Sequence, residues 1–399
     1  MNALGGILMK KLFSLVLSVI LSVLGLGTPT DDLLPVPERD GVPTQENIEL
    51  FERIFESETA WLASLQLENG AIPMTYTPNG QVKMNPYFAD FAALALLDKA
   101  DEYMDEVKKY MNWHFSHLNT TETDHNGVDG TIYDYEITLK DGKITDESIA
   151  IYKKKNSYDS VDSYAATFLM VLNKYYNETG DSEYILDHSS EIQRIVNAMF
   201  AMYHKGLTIA KPEWKVKYLM DNCEVYEGAL AAVELFRNVL CVNEPSLESV
   251  QKKCADAAVE VAQTIEDELW MPRAGHYKVG IYKILKIIPS DIFAWDKYYP
   301  CATAQLFPII HGLIAPNTER ANKLYDRFCE EYDWANFQYD DVFYWGANLQ
   351  AAVMMNDIEQ VVIYMTNYVE LIDTHDYPLY NADAARVCLA ANMLLEKYG

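Results

Sequence analysis

Basic side chains are scarce in this chain relative to acidic ones. Its 399 residues include 32 lysines and arginines against 59 aspartates and glutamates, which gives a formal net charge of −27 at pH 7. A surface of this sign repels phosphate backbones and anionic membranes. We therefore expect no nucleic-acid partner and no membrane partner. Strongly anionic polysaccharides are disfavoured as well, unless the protein has a local basic pocket.

Long apolar runs are missing after the N-terminus. Two lysines precede the one such run, which extends from Leu12 to about Leu26 and is followed by polar residues. A basic start, a short apolar stretch and a polar continuation are typical of a secretory signal peptide. No later run approaches the roughly 18 apolar residues of a membrane-spanning helix. We expect residues 1–27 to be cleaved and the mature protein to be secreted and soluble.

Cysteine is infrequent and follows no metal-binding or redox pattern. The six cysteines are far apart, without a CxxC or Cys/His arrangement. This spacing argues against structural zinc, and a large core favours buried free thiols over disulfides. The HExxH, P-loop, GxGxxG and GxSxG patterns are absent too, which disfavours zincins, NTPases, Rossmann enzymes and serine hydrolases. We therefore expect no metal and no cofactor.

Helix-patterned segments fill the chain after a Pro- and Asp-rich arm at 28–45. Apolar residues recur at helical spacing in about twelve segments. These segments span about 46–68, 87–98, 100–117, 158–177, 181–204, 221–240, 246–269, 298–312, 316–331, 343–355, 357–372 and 380–398.

Long polar loops and short turns alternate between these segments. Even-numbered segments are rich in alanine and apolar residues, whereas odd-numbered ones are more charged. A closed double ring of helical hairpins explains both patterns, with the even-numbered segments inside. We predict an all-α fold, an (α/α)6 barrel (six-hairpin toroid), as a single domain over 46–399. Small β-hairpins are expected in the long loops, one within 118–156 at an Asp-Gly turn and two short strands within 270–296.

Carboxylates recur at or near the starts of the inner segments. In a ring of hairpins these starts lie at one end, so their side chains would surround a common pit. Helix capping and the helix dipole are the alternative explanation for acids at these positions. The acids are Asp90, Asp159 with Asp162, Asp221 with Glu224, Asp296, Asp340 with Asp341, and Asp383.

Two of these groups are the strongest catalytic candidates. Asp159 and Asp162 are three residues apart and share a helix face. Asp221, Glu224 and Glu227 place three acids within seven residues. A capping box formed by the first two members of this second group is an open alternative. Alternatively, neighbouring carboxylates and an apolar wall raise the pKa of a glutamate, which then serves as a general acid.

Aromatic residues on or beside the long loops are candidates for stacking on sugar rings, because sugars present apolar C–H faces. Acids nearby would bind hydroxyl groups. The predicted substrate-binding residues are Tyr158, Trp214, Glu227, Trp295, Asp296, Trp345, Asp90 and Asp383.

Three stretches resemble the six-hairpin glycosidases over roughly 46–398. They are WLASLQLENGAI, DSVDSYAATFLMVLNKYYNETGD and Asp221-Asn222-Cys223-Glu224. The last is similar to the Asp-x-x-Glu of glucoamylase-type members, which implies that Glu224 is the general acid. Those enzymes carry the base in the final long loop, where Asp376 is the nearest candidate here. Asp159 or Asp162 could instead be the base or bind the sugar.

The resemblance implies a monomeric, exported glycoside hydrolase that acts on oligo- or polysaccharide, with inversion as the expected outcome. An inverting pair of carboxyl groups lies roughly 6.5–9.5 Å apart. Related barrels include unsaturated-uronide hydrolases, lyases and epimerases, and an aspartate of raised pKa at Asp162 would suit the first of these. A non-catalytic exported carbohydrate-binding protein is the alternative from another class.

Overall fold

The chain consists mainly of helices. The structure is a computed structural model that describes residues 39–281, 294–376 and 379–399, so the predicted signal peptide and most of the predicted arm lie outside the described residues. The main helices are α1 Gln45–Ser64, α2 Pro86–Leu96, α3 Ala100–Ser116, α4 Asp162–Thr179, α5 Ser189–Ala201, α6 Leu219–Leu235, α7 Glu248–Thr264, α8 Phe307–Ile310, α9 Glu319–Glu331, α10 Gly346–Met354, α11 Ile358–Tyr368 and α12 Asn381–Tyr398.

The even-numbered helices form a closed inner ring. Each contacts the next in chain order, from α2 through α4, α6, α8 and α10 to α12, and α12 contacts α2. The odd-numbered helices lie outside: α1 packs on α2 and α12, α3 on α2, α5 on α4, α7 on α6, and α11 on α10. Phe328 of α9 packs against Tyr298, just before α8, with ring centroids 5.7 Å apart. The predicted all-α toroid is confirmed.

The distribution of apolar side chains around each helix decides which helices lie inside. The inner helix α2 is buried on nearly all sides, whereas the outer helix α9 buries one stripe, at Ala321, Leu324, Tyr325 and Phe328. A stripe spaced by three and four residues covers one face of a helix and leaves the opposite face in water. The sequence contrast between even and odd segments therefore reflects the two layers.

Boundaries differ from the sequence prediction mainly around α5 and α8. A separate short helix, Ser182–Asp187, precedes α5. The segment predicted as one helix at 298–312 is divided into a π-helical turn at Tyr298–Ala302 and the short α8. Pro300 and Pro308 explain the division, because each removes a backbone donor and clashes with the preceding helical turn.

Short strands occupy the long loops. Strands β1 Gly80–Met84, β2 Tyr135–Lys140 and β3 Lys143–Ile149 form one antiparallel sheet, and the predicted Asp-Gly turn joins β2 to β3. The left-handed backbone at Asp141 and Gly142 suits such a turn. The remaining strands form two-residue pairs: β4 Ile151–Tyr152 with β5 Lys155–Asn156, β6 Tyr203–His204 with β7 Leu207–Thr208, β8 Lys217–Tyr218 with β11 Gly280–Ile281, and β9 Trp270–Met271 with β10 His276–Tyr277.

The hairpin within 118–156 is thereby confirmed, and β1 joins it as an unpredicted third strand. The strands expected within 270–296 are present up to residue 281, and residues 282–293 lie outside the described part.

All six cysteines are unpaired, and four of them are buried. In the described part of the chain, no helix is both long enough and apolar enough to cross a membrane.

Helices α4 and α6 approach each other closely at Gly228. A Cβ atom added there would lie 2.6 Å from the Cα of Ala166. Side chains never approach a backbone this closely, so the contact requires glycine at this position. The close packing of α4 on α6 matters because both helices carry candidate catalytic acids.

We expect Gly228→Ala to lower the free energy of unfolding by about 1–3 kcal/mol, because the added methyl group must push α4 and α6 apart. Chemical denaturation would measure the loss. Ser249→Ala, at an exposed position on α7, is the control and should change stability by less than about 0.5 kcal/mol. A Gly228→Ala variant as stable as the native protein would contradict the described packing.

Candidate active site

Side-chain caps occur in both layers of the barrel: the inner helix α2 is capped by Asn85, and the outer helix α3 has no side-chain cap. The outer helix α1 is capped by Thr44, whose side chain accepts a hydrogen bond from the Asn47 N–H, and α9 and α11 are capped in the same way. The N-cap residues of the inner helices α4, α6 and α12 form no side-chain cap; they are Val161, Tyr218 and Tyr380. Asp221 is the third residue of α6, so it is not the N-cap of a capping box. Asp162, Asp221 and Asp383 lie inside these helices and are not their N-cap residues.

A network of three side chains crosses the barrel below these starts. The Tyr87 hydroxyl of α2 donates to Oε1 of Glu224 on α6 at 2.6 Å. Nη2 of Arg386 on α12 donates to the Tyr87 hydroxyl at 3.3 Å and lies 3.8 Å from the same Glu224 oxygen. Burial, followed by the charge of Glu224, raises the pKa of Tyr87 well above its usual value. The phenol therefore remains a donor at neutral pH.

Arg386 has further partners around the ring. Its Nη1 donates to Oε1 of Gln350 on α10 at 2.9 Å, and its guanidinium lies 3.8 Å from the ring centroid of Phe91 on α2. Both Arg386 and Glu224 are almost fully buried, at 6% and 2% exposure. A buried charge is tolerated only when it is paired and hydrogen-bonded, and this arrangement meets both conditions.

Asp162 is the first residue of α4 and is completely buried. Its Oδ1 accepts hydrogen bonds from the Ser160 hydroxyl and the Ser163 N–H, whereas its Oδ2 has no partner among the described residues. Burial raises the pKa of Asp162 to about 6, and the charge of Glu224 adds to this against opposing hydrogen bonds. An unsatisfied carboxyl oxygen beside another acid is an unfavourable arrangement for the fold alone.

Asp221 completes a group of acids shared by α4 and α6. It is partly exposed. Loss of water around its carboxyl group raises the pKa of Asp221 well above the usual value. The charges of Asp162, Glu224 and Asp159 raise it further. We call Asp159, Asp162, Asp221 and Glu224 the acid cluster. Like charges at close range favour protonation of one member, which is the condition for a general acid.

Asp134, in the loop before β2, lies beside this cluster. It precedes β2 and accepts hydrogen bonds from Asn85 at 3.0 Å and from the Tyr164 hydroxyl at 2.8 Å. Burial raises the pKa of Asp134 to about 7, and the charge of Asp159 contributes. No helical spacing pointed to this residue, because a long loop brings it to the inner helices.

Asp383 is the third residue of α12, on the other side of the ring. Its Oδ1 accepts a hydrogen bond from the Gly346 N–H at 3.4 Å. Burial raises the pKa of Asp383 to about 7, against the backbone N–H groups and the charge of Arg386. Asp383, a predicted substrate-binding residue, therefore lies near the start of the inner helix α12, next to α10.

Aromatic rings connect α6 to α10 along the same end of the barrel. The Trp214 indole N–H donates to the Tyr218 hydroxyl at 2.8 Å. Tyr299 stacks on Trp345, with ring centroids 3.8 Å apart and planes 16° from parallel. Burial and the charges of Asp221, Asp159 and Glu224 raise the pKa of Tyr299, and Tyr218 contributes, so this ring borders the acid cluster. Trp214 and Trp345 thus lie near the starts of α6 and α10, and their stacking on sugars stays a prediction.

Solved structures that resemble this one are glycosidases. A wild-type glycosidase gives a TM-score of 0.58 at 10% identity, with 89% of this chain and 98% of that chain covered. A novel alpha-amylase from Clostridium perfringens gives 0.54 at 10%, covering 86% and 97%. A rhamnosidase from Klebsiella oxytoca with rhamnose bound gives 0.54 at 11%, covering 92% and 66%. No protein-family profile and no curated protein matches the sequence.

The chain has a glycosidase fold. At these identities the likeness concerns the barrel architecture, which agrees with the six-hairpin resemblance seen in the sequence.

Two predicted site residues are held inside the wall of this glycosidase-type barrel. Asp90 is fully buried and accepts hydrogen bonds from the Tyr110 and Thr167 hydroxyls, both at 2.6 Å. Tyr158 is also buried; its hydroxyl accepts a hydrogen bond from the Asn126 amide at 2.7 Å, and its ring stacks on Tyr133. Protein partners account for both side chains without a ligand.

Other predicted residues are dispersed around the glycosidase-type barrel. Glu227 is 2.6 Å from Nδ1 of His311, one turn beyond Glu224 along α6. Trp295 packs under the Arg327 guanidinium at 4.6 Å, and Asp296 is exposed. Asp376 is exposed too, beside residues 377–378, which lie outside the described part. No contact within the described residues joins any of Trp295, Asp296 or Asp376 to the acid cluster.

We expect Arg386→Met to lower the free energy of unfolding by about 3–5 kcal/mol, because it leaves Glu224 buried without its cation. Chemical denaturation would measure this loss. Arg386→Met combined with Glu224→Gln should recover a large part of it, since the second change removes the unpaired charge. Additive losses in the double variant would show that the two side chains are not coupled.

Asp162 should make stability depend on pH. Its folded-state pKa of about 6 exceeds the usual value, so the folded state binds the proton more tightly and its stability falls as pH rises from about 4 to about 7. We expect Asp162→Asn to gain about 3 kcal/mol relative to the native protein over that interval. Denaturation curves at several pH values would measure this, with the exposed Asp146→Asn as a control. A constant difference across the interval would contradict the raised pKa.

Proposed function

We propose that this protein is an exported glycoside hydrolase that cleaves oligo- or polysaccharide with inversion, using a pair of carboxyl groups. The acid cluster carries the proposal, because carboxyl groups of raised pKa meet at the helix starts of a barrel whose fold is that of glycosidases. Glycoside hydrolysis needs one protonated and one ionised carboxyl group beside the scissile bond. The adjoining aromatic rings support a sugar as the ligand.

Asp221 is our preferred proton donor. A donor must be protonated at neutral pH and must reach the glycosidic oxygen. The pKa of Asp221 is raised well above its usual value, and its side chain is partly exposed. Glu224, which the sequence resemblance implies as the donor, is almost fully buried beside Arg386 and contributes a charge that raises the pKa of Asp221. We keep Glu224 as the alternative donor.

A second carboxylate would activate water on the opposite side of the sugar. Asp159 is exposed, and its charge acts on Asp221, so it is a candidate for this base. Asp376 in the last long loop is the other candidate. In an inverting enzyme the base and the donor lie roughly 6.5–9.5 Å apart, which leaves room for the water molecule.

We expect Asp221→Asn to lower the rate of hydrolysis about 10²–10⁴-fold, as is typical for loss of a general acid. Reducing-end release from an oligosaccharide panel would identify a substrate and measure the rate. On a sugar with an activated leaving group, Asp221→Asn should retain far more activity, because that bond needs no protonation. The exposed Asp256→Asn on α7 is the control, and circular dichroism would verify folding.

The same experiments distinguish the alternatives. If Glu224→Gln rather than Asp221→Asn is rescued by an activated leaving group, Glu224 is the donor. Proton NMR of the first product reports the anomer, and a retained configuration would contradict inversion. Thermal stabilisation by sugars without turnover of any substrate would contradict hydrolysis and indicate a carbohydrate-binding protein. N-terminal sequencing of the secreted protein would test cleavage near residue 27.

Asp162 favours a second candidate function. Its carboxyl group has a pKa raised to about 6 and one unsatisfied oxygen, and it would protonate the double bond of an unsaturated uronide if substrate binding exposed it to the pit. Loss of the ultraviolet absorbance of that double bond would detect such an activity. Its absence, together with release of reducing ends from saturated sugars, would leave glycoside hydrolysis as the function.

A further inference from the structure

Two adjacent loops at the pit carry an excess of positive charge. Residues 150–158 and 211–218 contain six lysines and one glutamate, in a chain with a formal net charge of −27. Five of these lysines are at least partly exposed, and Lys217 is buried. Nζ of Lys155 lies 3.7 Å from the carboxylate of Glu213, and Nζ of Lys211 donates to the backbone oxygen of Tyr158 at 2.7 Å. The two loops therefore form one continuous surface, which we call the basic rim.

The basic rim also presents aromatic and aliphatic side chains to solvent. Ile151 and Tyr152 of β4 are each 62% exposed, and Trp214 is 39% exposed. Lys153 and Lys154 form the exposed turn between β4 and β5, and Nζ of Lys153 lies 4.9 Å from the ring centroid of Tyr152. Large exposed apolar side chains beside cations indicate a binding surface.

The rim connects to the acid cluster through both loops. The first loop runs from β5 directly to Asp159. In the second loop the Trp214 indole is hydrogen-bonded to Tyr218, the residue immediately before α6 and three positions before Asp221. A chain held along these rings would therefore extend outwards from the pit over the lysines.

We propose that the basic rim binds anionic groups, uronate carboxylates or sulfate esters, on the part of a saccharide that extends beyond the cleavage site. The proposal rests on the proposed function, which supplies the saccharide in the pit. Lysine ammonium groups attract carboxylates and sulfates, and aromatic rings stack on the apolar faces of sugars. The acid cluster would repel a charged sugar at the cleaved bond, so the anionic residues lie further along the chain.

A membrane surface is the less favourable partner. Anionic lipid headgroups would meet the lysines, but they would also meet a protein of high negative net charge. A saccharide that continues outwards from the pit also accounts for Trp214 and Tyr218, which lead from the rim to the acid cluster.

The test compares matched probes and matched variants. Oligogalacturonides, their neutral methyl esters and chondroitin sulfate oligosaccharides are titrated into the native protein by calorimetry at two salt concentrations. The rim variant is Lys153→Ser/Lys154→Ser/Lys155→Ser. The control variant Lys252→Ser/Lys253→Ser/Lys323→Ser removes the same charge from exposed positions on the outer helices α7 and α9.

We expect at least one acidic probe to bind more tightly than the methyl ester. Its affinity should fall when salt is added. The rim variant should lose about tenfold in affinity for that probe, as three exposed charge contacts would give, and the control variant should match the native protein. Carboxylate and sulfate ligands are distinguished by which acidic probe binds.

Several results would overturn the proposal. They are equal affinity for acidic and esterified probes, no binding of either acidic probe, an unchanged affinity in the rim variant, or binding to phosphatidylglycerol vesicles in place of the saccharides. Rim-dependent binding without hydrolysis of any sugar would contradict the proposed function and leave the rim assignment standing. Hydrolysis of neutral sugars at equal rates in both variants, without binding of acidic probes, would contradict the rim assignment and leave the proposed function standing.

Discussion

The buried guanidinium of Arg386 is the group around which the inner ring is organised. It meets the charge of Glu224, donates to Tyr87 and Gln350, and lies against the ring of Phe91. These partners belong to three helices other than its own. Because a buried cation is costly until its partners are present, the ring must close before the contact becomes favourable. The barrel therefore closes in the same step in which the network of Tyr87, Glu224 and Arg386 forms.

The same ion pair affects the acids above it. Glu224 raises the pKa of Asp162 and of Asp221, so a charge fixed by the scaffold acts on side chains nearer the opening. Repulsion among carboxylates destabilises the fold, but it also keeps one of them protonated at neutral pH. Burial is the main cause of the raised pKa of Asp383, at the start of α12, as it is for Asp162 and Asp221, but Asp383 lies near the cation of Arg386 and not near the charge of Glu224. The barrel thus holds carboxyl groups of raised pKa in two regions, and like charges contribute in one of them.

Most of the architecture could be predicted from the sequence, because it depends on local patterns. Alternating loop lengths and the contrast between apolar and charged segments indicated the two layers, and the Asp-Gly turn indicated the β2–β3 hairpin. The site was predicted in part: Asp162, Asp221 and Glu224 do come together. Arg386 and Tyr87 were not identified, because an arginine and a tyrosine within apolar helices acquire their roles only when distant segments meet. The division of the segment predicted at 298–312 arises from Pro300 and Pro308.

Side-chain caps occur at helices of both layers of the barrel. Asn85 caps the inner helix α2, and Thr44 and Thr318 cap the outer helices α1 and α9. The N-cap residues of α4, α6 and α12 form no such cap, and the acids near these three starts lie inside the helices. Exchange of those acids would therefore leave the caps of α1, α2 and α9 in place. A barrel built in this way can change the residues of its pit while it inherits its frame.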